Sequence, residues 1–179
     1  MRPEQWIRVD LGEQALTLYE GGEEAVASWP VSTGAAPPSE RNGSGGTPRG
    51  WHRVRARIGA DAPSGTVFVG RRPTGERWSP RLAAEQPGRD WILSRILWLS
   101  GMEVGVNRLG SVDTMRRYIY IHGAPDDAPM GVARSHGCVR MANRDVIDLF
   151  DRVAPGMAVW IHHGGPDRPP PGPPASEGR

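Results

Sequence analysis

One stretch of the chain, Tyr118 to Met141, holds the residue types that could do covalent chemistry: YIYIHGAPDDAPMGVARSHGCVRM. It contains the only cysteine, Cys138, and two of the five histidines, His122 and His136. A thiol becomes a strong nucleophile when it ionises, and a nearby imidazole with backbone donors is the usual way to arrange that. Gly137 stands just before the thiol. With no side chain there, the backbone can turn sharply and aim N–H groups at a substrate oxygen. These residues predict Cys138 as nucleophile and His122 as its base, with the thiolate as the resting form beside an imidazolium. His136 is a rival base, because residues two apart in an extended segment point the same way. The chemistry is acyl transfer: attack on an acyl carbon, expulsion of an amine that the imidazolium protonates, and release of the acyl group to a second nucleophile.

Neighbouring residues leave alternatives open. Ser135 is either a hydroxyl donor in the site or a tight-turn residue. Arg140 is suited to bind a substrate carboxylate bidentately, or it forms a surface salt bridge with Asp145 or Asp148. Asn107, Arg108 and Asp113 read as loop-ordering residues. His52, His162 and His163 lack a partner pattern and read as structural or surface residues.

Elements that would position these groups follow from periodicity. Trp6 to Leu11, Leu16 and Leu18, and Ala25 to Ser32 alternate with a period of two and read as an antiparallel meander, turned at Gly21-Gly22. Gly34 to Gly50 is a long Gly/Pro/Ser-rich loop, either a flap near the site or a solvated connection. Trp51 to Ile58 alternates with Val54, Ala56 and Ile58 inward, and Arg53, Arg55 and Arg57 on the other face. Thr66 to Val69 is a short strand. Gly70 to Asp90 shows little periodicity. Trp91 to Leu99 reads as a strand, as does Tyr118 to Ile121, which delivers His122 at its end. Asn143 is the expected N-cap of a short amphipathic helix bearing Val146, Leu149, Phe150 and Val153. Met157 to Ile161 is the last strand. The fold class is mainly β, with residues 1–163 as one domain and 164–179 as a disordered Pro/Gly-rich tail.

Composition excludes several classes. The net charge of +2 among 179 residues gives no basis for nucleic-acid steering. All 22 basic residues are arginine, so no lysine can serve as base or Schiff-base amine. One cysteine permits no internal disulfide. No apolar run has the length of a membrane span, and Met1 to Trp6 lacks a secretory pattern. A cytoplasmic location is the resulting expectation, and a periplasmic one if an export signal precedes this segment.

A histidine-glycine at a strand end, a loop, and then Ser135-His136-Gly137-Cys138-Val139-Arg140-Met141 resembles the signature of the YkuD-type L,D-transpeptidases. Ile7 to Leu18, Trp29 to Gly34, Thr47-Pro48-x-Gly50, Asn107-Arg108, Val112-Asp113-Thr114 and Gly156 to Ile161 extend the resemblance over about residues 5 to 162. It implies a sandwich or barrel-like sheet, with a short helix after the cysteine and a lid formed by the Gly70–Asp90 sector. It assigns the base to His122, with a backbone carbonyl at Gly123 orienting the ring. Oxyanion donors fall on the backbone amides of His136, Gly137 and Cys138. The implied substrates are peptidoglycan stem peptides or muropeptides, cut between the L-centre of the third residue (diaminopimelate or lysine) and the terminal D-alanine. Water as acceptor makes an L,D-carboxypeptidase, which is the favoured expectation; an amine makes an L,D-transpeptidase. Carbapenem acylation is a further implication, and no cofactor or metal is expected. Two other classes compete: a zinc site from His122, His136, Cys138 and His162, and a non-catalytic muropeptide binder or thiol sensor.

Overall fold

The structure is a computed structural model describing residues 2–164 and 172–175. The expected disordered tail lies almost wholly outside the described residues. Strands β1 (Gln5–Asp10), β2 (Ala15–Glu20) and β3 (Glu24–Pro30) form the predicted meander. Its turn places Gly21 and Gly22 at φ 57° and 82°, the left-handed region that glycine enters without steric cost. The last strand, β10 (Ala158–His162), lies parallel to β1, with Ile7 opposite Val159. It also pairs antiparallel with β4 (Gly50–Ile58). Next come β7 (Ile92–Gly101) and then β5 (Thr66–Val69) with β6 (Arg72–Arg77). Strand β8 (Tyr120–Ala124) pairs with β7, and β9 (Val139–Ala142) runs parallel to β8. The result is one curled, mainly β sheet, as the sequence predicts.

The concave face is the main core. Ile7, Val9, Leu16, Leu18, Val159 and Ile161 point there from the meander and β10, and Ile121, Val139 and Met141 from β8 and β9. Helix α2 (Asn143–Arg152) closes this core with Val146, Leu149 and Phe150. Each such side chain contributes roughly 1.5–3 kcal/mol by burial. Asp145 in the first turn and Arg152 in the last suit the helix dipole.

Local structure departs from simple periodicity in four places. The register of β4 against β7 shifts between Val54 and Ala56. A bulge flips every later side chain to the other face. Val54 therefore joins the main core, but Arg57, not Ile58, turns towards α2: its Nη2 donates to the Phe150 carbonyl at 2.6 Å, with the guanidinium 4.1 Å from the Phe150 ring centroid. The three arginines do not form one stripe. The N-cap of α2 is Ala142, without a side-chain cap bond, because the Asn143 side chain turns inward to Ser94, Ala124 and Asp126. Strand β8 continues two residues past His122. Finally, the Gly70–Asp90 sector contains β6 and a short helix α1 (Pro80–Glu85), capped by the Ser79 hydroxyl. Arg89 clamps the sector on itself through both Glu76 carboxylate oxygens, at 2.8 and 3.0 Å, and this bond holds the Glu76 carboxyl down at about 2.

The Gly34–Gly50 loop is neither a flap nor a merely solvated connection. Arg117, half-buried, donates to the carbonyls of Ser39 and Gly46 and so fastens it. Thr47 is buried beneath the cysteine turn, donating to the Gly137 carbonyl at 2.9 Å and accepting from the Gly34 N–H at 2.8 Å. Thr47→Val keeps the shape but leaves that donor and that acceptor without partners. The expected cost is about 2–3 kcal/mol, read as a lower denaturant midpoint at unchanged m.

Candidate active site

Sheet register brings the expected residues together. Ile96 of β7 faces His122 of β8, which faces Arg140 of β9; Trp98 likewise faces Tyr120. Paired residues project from the same side, and Cys138 lies two before Arg140. Tyr120, His122, Cys138 and Arg140 therefore share the face opposite the main core. There they meet a cavity of about 500 Å³, lined also by Arg71, Asp90, Arg117, Tyr118, Ser135 and His136.

The turn that presents the thiol is tied at Ser135, Gly137 and Cys138. Ser135 is buried, and its hydroxyl donates to the Cys138 carbonyl (2.5 Å) while accepting from the Gly137 N–H (3.1 Å). Of the two roles open to Ser135, the turn is the one it fills. The Gly137 amide is already engaged, which removes it from the expected oxyanion donors. Gly137 has φ 124°, and a Cβ there would stand 3.2 Å from both the Gly46 carbonyl oxygen and Ile119 Cδ1. The turn therefore requires glycine for its backbone conformation, not for an amide aimed at a ligand.

Beside the imidazole, β7 carries a second bulge, between Leu93 and Ile96. Ser94 there adopts φ 69° and donates its hydroxyl to Asn143 Oδ1 at 2.5 Å. The bulge and Asn143 press against Gly123: a Cβ at that position would lie 2.5 Å from the Leu93 carbonyl oxygen and 2.6 Å from Asn143 Oδ1. The Gly123 carbonyl, so positioned, takes the His122 Nδ1–H at 2.7 Å. A carbonyl accepts only, so Nδ1 carries the proton and Nε2 keeps its lone pair.

Electrostatics correct one expectation. His122 is 1% exposed, and burial pushes its pKa down to about 4, against a smaller upward pull from the Gly123 hydrogen bond. Burial pushes the Cys138 thiol up to about 11; the Tyr120 N–H, 3.3 Å from Sγ, pulls it down by less. The Sγ donates to the Tyr118 carbonyl at 3.4 Å, and no hydrogen bond joins it to His122 among the described residues. The resting pair is a neutral thiol and a neutral imidazole, not thiolate and imidazolium, because desolvation outweighs mutual stabilisation.

His52 shares the same fate away from the site. It is fully buried between the Gly50 carbonyl and the Thr114 hydroxyl, and burial lowers its pKa to about 4. Both histidines are neutral when folded and take up protons more readily when unfolded. Their contribution is complete above about pH 6.5 and is lost as pH falls from there through 4. The expected loss is up to about 3 kcal/mol for each histidine. Calorimetry at pH 7 and pH 4.5 should show a marked fall in Tm, reduced in His52→Gln.

The remaining candidates separate clearly. His136 is 82% exposed in its side chain and approaches only Asp90, at 4.0 Å. Arg140 pairs with Asp90 at 2.9 Å, not with Asp145 or Asp148. Asp113 orders its own loop by accepting from the Leu109 and Arg116 N–H groups, while Asn107 accepts from the Glu103 N–H and donates to the Arg49 and Trp51 carbonyls, fastening the loop to the start of β4. His162 lies on β10 beside Arg8 and Asp10 and does not line the cavity, so the four residues of the zinc reading are not brought together. Among the cavity residues that escape sequence reasoning are Asp90, Arg71, Arg117 and Tyr118. Arg71 sits at the second position of the two-residue turn between β5 and β6, with φ 63°. Its guanidinium lies 4.6 Å from the Trp98 centroid and 5.0 Å from that of Tyr118, and it donates to the Tyr120 hydroxyl at 3.0 Å. Its left-handed φ is visible only in the structure, and the Gly70-Arg71 pair between two strands is the one local trace of the turn.

A curled sheet that holds one thiol and one buried, tautomer-fixed imidazole along a cavity is the framework of a cysteine acyl-transfer domain. The chain belongs to the YkuD family, the L,D-transpeptidase catalytic domain, whose family model matches residues 4–161. It is similar to the Bacillus subtilis strain 168 protein named L,D-transpeptidase YkuD, at 43% identity over 47 residues, 26% of this chain and 29% of the relative. It shares its fold with an L,D-transpeptidase from Mycobacterium smegmatis (TM-score 0.56, 18% identity, 89% of this chain and 58% of that one). The same holds for LdtMt1 in complex with imipenem (TM-score 0.53, 18% identity, 89% and 59%). The chain thus spans well under two thirds of the length of these relatives.

Proposed function

We propose that this domain is a cysteine acyl-transfer enzyme acting on peptidoglycan stem peptides, with Cys138 as nucleophile and His122 as base. The observation that carries the reading is the His122 Nδ1–H bond to the Gly123 carbonyl, which leaves Nε2 basic on the cavity side of the sheet. From the neutral pair, the thiol proton passes to Nε2 as sulfur attacks the acyl carbon between the L-centre and D-alanine. The C–N bond then breaks, the imidazolium protonates the departing amine, and a thioester remains on Cys138. The amide of Cys138 supports the oxyanion, since that of Gly137 is taken by Ser135. Water, deprotonated by His122, releases the acyl group. With water as acceptor the activity is that of an L,D-carboxypeptidase, and the cavity of about 500 Å³ has room for one peptide end. The family to which the chain belongs favours the second reading, an amine acceptor and cross-linking or exchange.

Mass spectrometry of a free stem tetrapeptide incubated with the protein, with and without excess D-amino acid, separates these. Tripeptide alone supports hydrolysis; an exchanged tetrapeptide establishes transpeptidation; neither product overturns both. Because a related fold was obtained with imipenem, the intact protein should also gain the mass of one imipenem on Cys138, and Cys138→Ala should gain none.

A further inference from the structure

Asp90 is the one carboxylate among the cavity-lining residues, and the reaction proposed above gives it no role. It stands at the end of the Gly70–Asp90 sector, directly before β7. Its Oδ1 accepts from Arg140 Nη2 at 2.9 Å, and its Oδ2 lies 4.0 Å from His136 Nδ1. Among the described residues the Arg140 guanidinium has one other hydrogen bond, a long 3.4 Å one from Nη1 to the Arg134 carbonyl. The sector's other ion pairs, Arg89 with Glu76 and Arg81 with Glu85, are internal to it. Asp90 therefore provides the sector's carboxylate contact with the strand that carries the thiol turn. Its side chain is 46% exposed while that of Arg140 is 19% exposed. The arginine is built into the wall, and the aspartate reaches it from the solvent side.

We infer that Asp90 is a built-in stand-in for a ligand carboxylate: it occupies Arg140 in the free protein, and the cavity selects acyl donors whose own free carboxylate replaces it there. A planar guanidinium prefers a carboxylate partner in either state, so the exchange leaves Arg140 paired throughout. A neutral amide at the same point of the ligand cannot make the exchange. Removing Asp90 without replacing it would leave Arg140 free for any incoming anion. The Asp90 charge is also among the causes that push the Cys138 thiol up, so its displacement acts on the nucleophile as well. This deepens the proposed use of the site, since it specifies an acidic group near the acyl centre. It depends on that reading only for the reactivity of Cys138.

The test uses alkylation of Cys138, which needs no turnover and so succeeds or fails separately from the enzymatic reading. Iodoacetate carries a carboxylate and iodoacetamide does not, and their rate ratio cancels changes in thiolate fraction. Asp90→Asn should raise the iodoacetate-to-iodoacetamide ratio about tenfold. Asp90→Ser, which keeps no amide, should do the same. In an Arg140→Gln background the effect of Asp90→Asn should shrink to less than half on a logarithmic scale. N-acetyl-D-alanine should protect the thiol of Asp90→Asn at about fivefold lower concentration than in the unaltered protein, and N-acetyl-D-alaninamide should show no such gain. An unchanged ratio, a full effect without Arg140, or equal gains for acid and amide would each overturn the inference.

Discussion

Cys138→Ala is expected to lower the turnover of a stem tetrapeptide by more than about 10⁴-fold, the scale on which removal of a covalent nucleophile acts. The fold should survive. The thiol contributes two long backbone contacts, to Tyr118 and Tyr120, while the turn around it is held by Ser135 and Thr47. Circular dichroism should therefore match the unaltered protein and Tm should move by only a few degrees. Quench-flow mass spectrometry should show no acyl adduct at any time. Retention of even one hundredth of the activity would assign the chemistry to another group.

The second large effect concerns His122. His122→Gln removes the basic Nε2, and kcat should fall by about 10²–10⁴-fold with little change in KM. The resting state also makes a prediction about pH. A neutral thiol and neutral imidazole are both present between about pH 4 and pH 11, the values to which burial moves the two groups. The kcat/KM profile reports the free enzyme, so it should be flat across neutrality, falling only as His122 protonates towards pH 4 and as Cys138 ionises towards pH 11. A thiolate–imidazolium resting pair would instead put the acid limb far below neutrality, at the depressed thiol pKa, and bring the alkaline limb down to just above neutrality, where the imidazolium loses its proton. Direct titration by iodoacetamide rates should agree, with alkylation accelerating all the way up to about pH 11. A plateau reached below about pH 8 would sink the neutral-pair reading.

How much of this was legible in the sequence differs by kind of contact. The thiol, the imidazole and the glycine carbonyl that orients it fall within one stretch of seventeen residues, and the register of adjacent parallel strands brings them side by side. Hydrophobic alternation located the meander, β7 and β10 for the same reason: the pattern is local. The bulges at Arg55 and at Ser94–Arg95 are invisible in the sequence, because extra residues in a ladder leave no mark on composition; the single one at Arg55 nevertheless reverses the facing of every later residue in β4. Asn143 has the residue type of a cap and the place of one, but three inward partners compete for its side chain. Asp90, Arg71 and Thr47 come from distant segments, and only the closed sheet puts them against the turn. Ionisation is not legible in the sequence, because it depends on burial depth, which periodicity does not report.

The pairing of Ile7 with Val159 carries a consequence for how the chain is made. Strand β10 lies inside the sheet, between β1 and β4, so the ladder that joins the meander to β4 cannot close until residue 162 has left the ribosome. Contacts this far apart in sequence also cost loop-closure entropy before they repay it, which slows the final docking. During synthesis the Tyr118–Met141 stretch emerges before the strand that completes the sheet. Its cysteine therefore spends that interval before the sheet around its turn is complete. The fixed placement of Cys138 along the cavity is a property acquired last, when the two ends of the domain are stitched together.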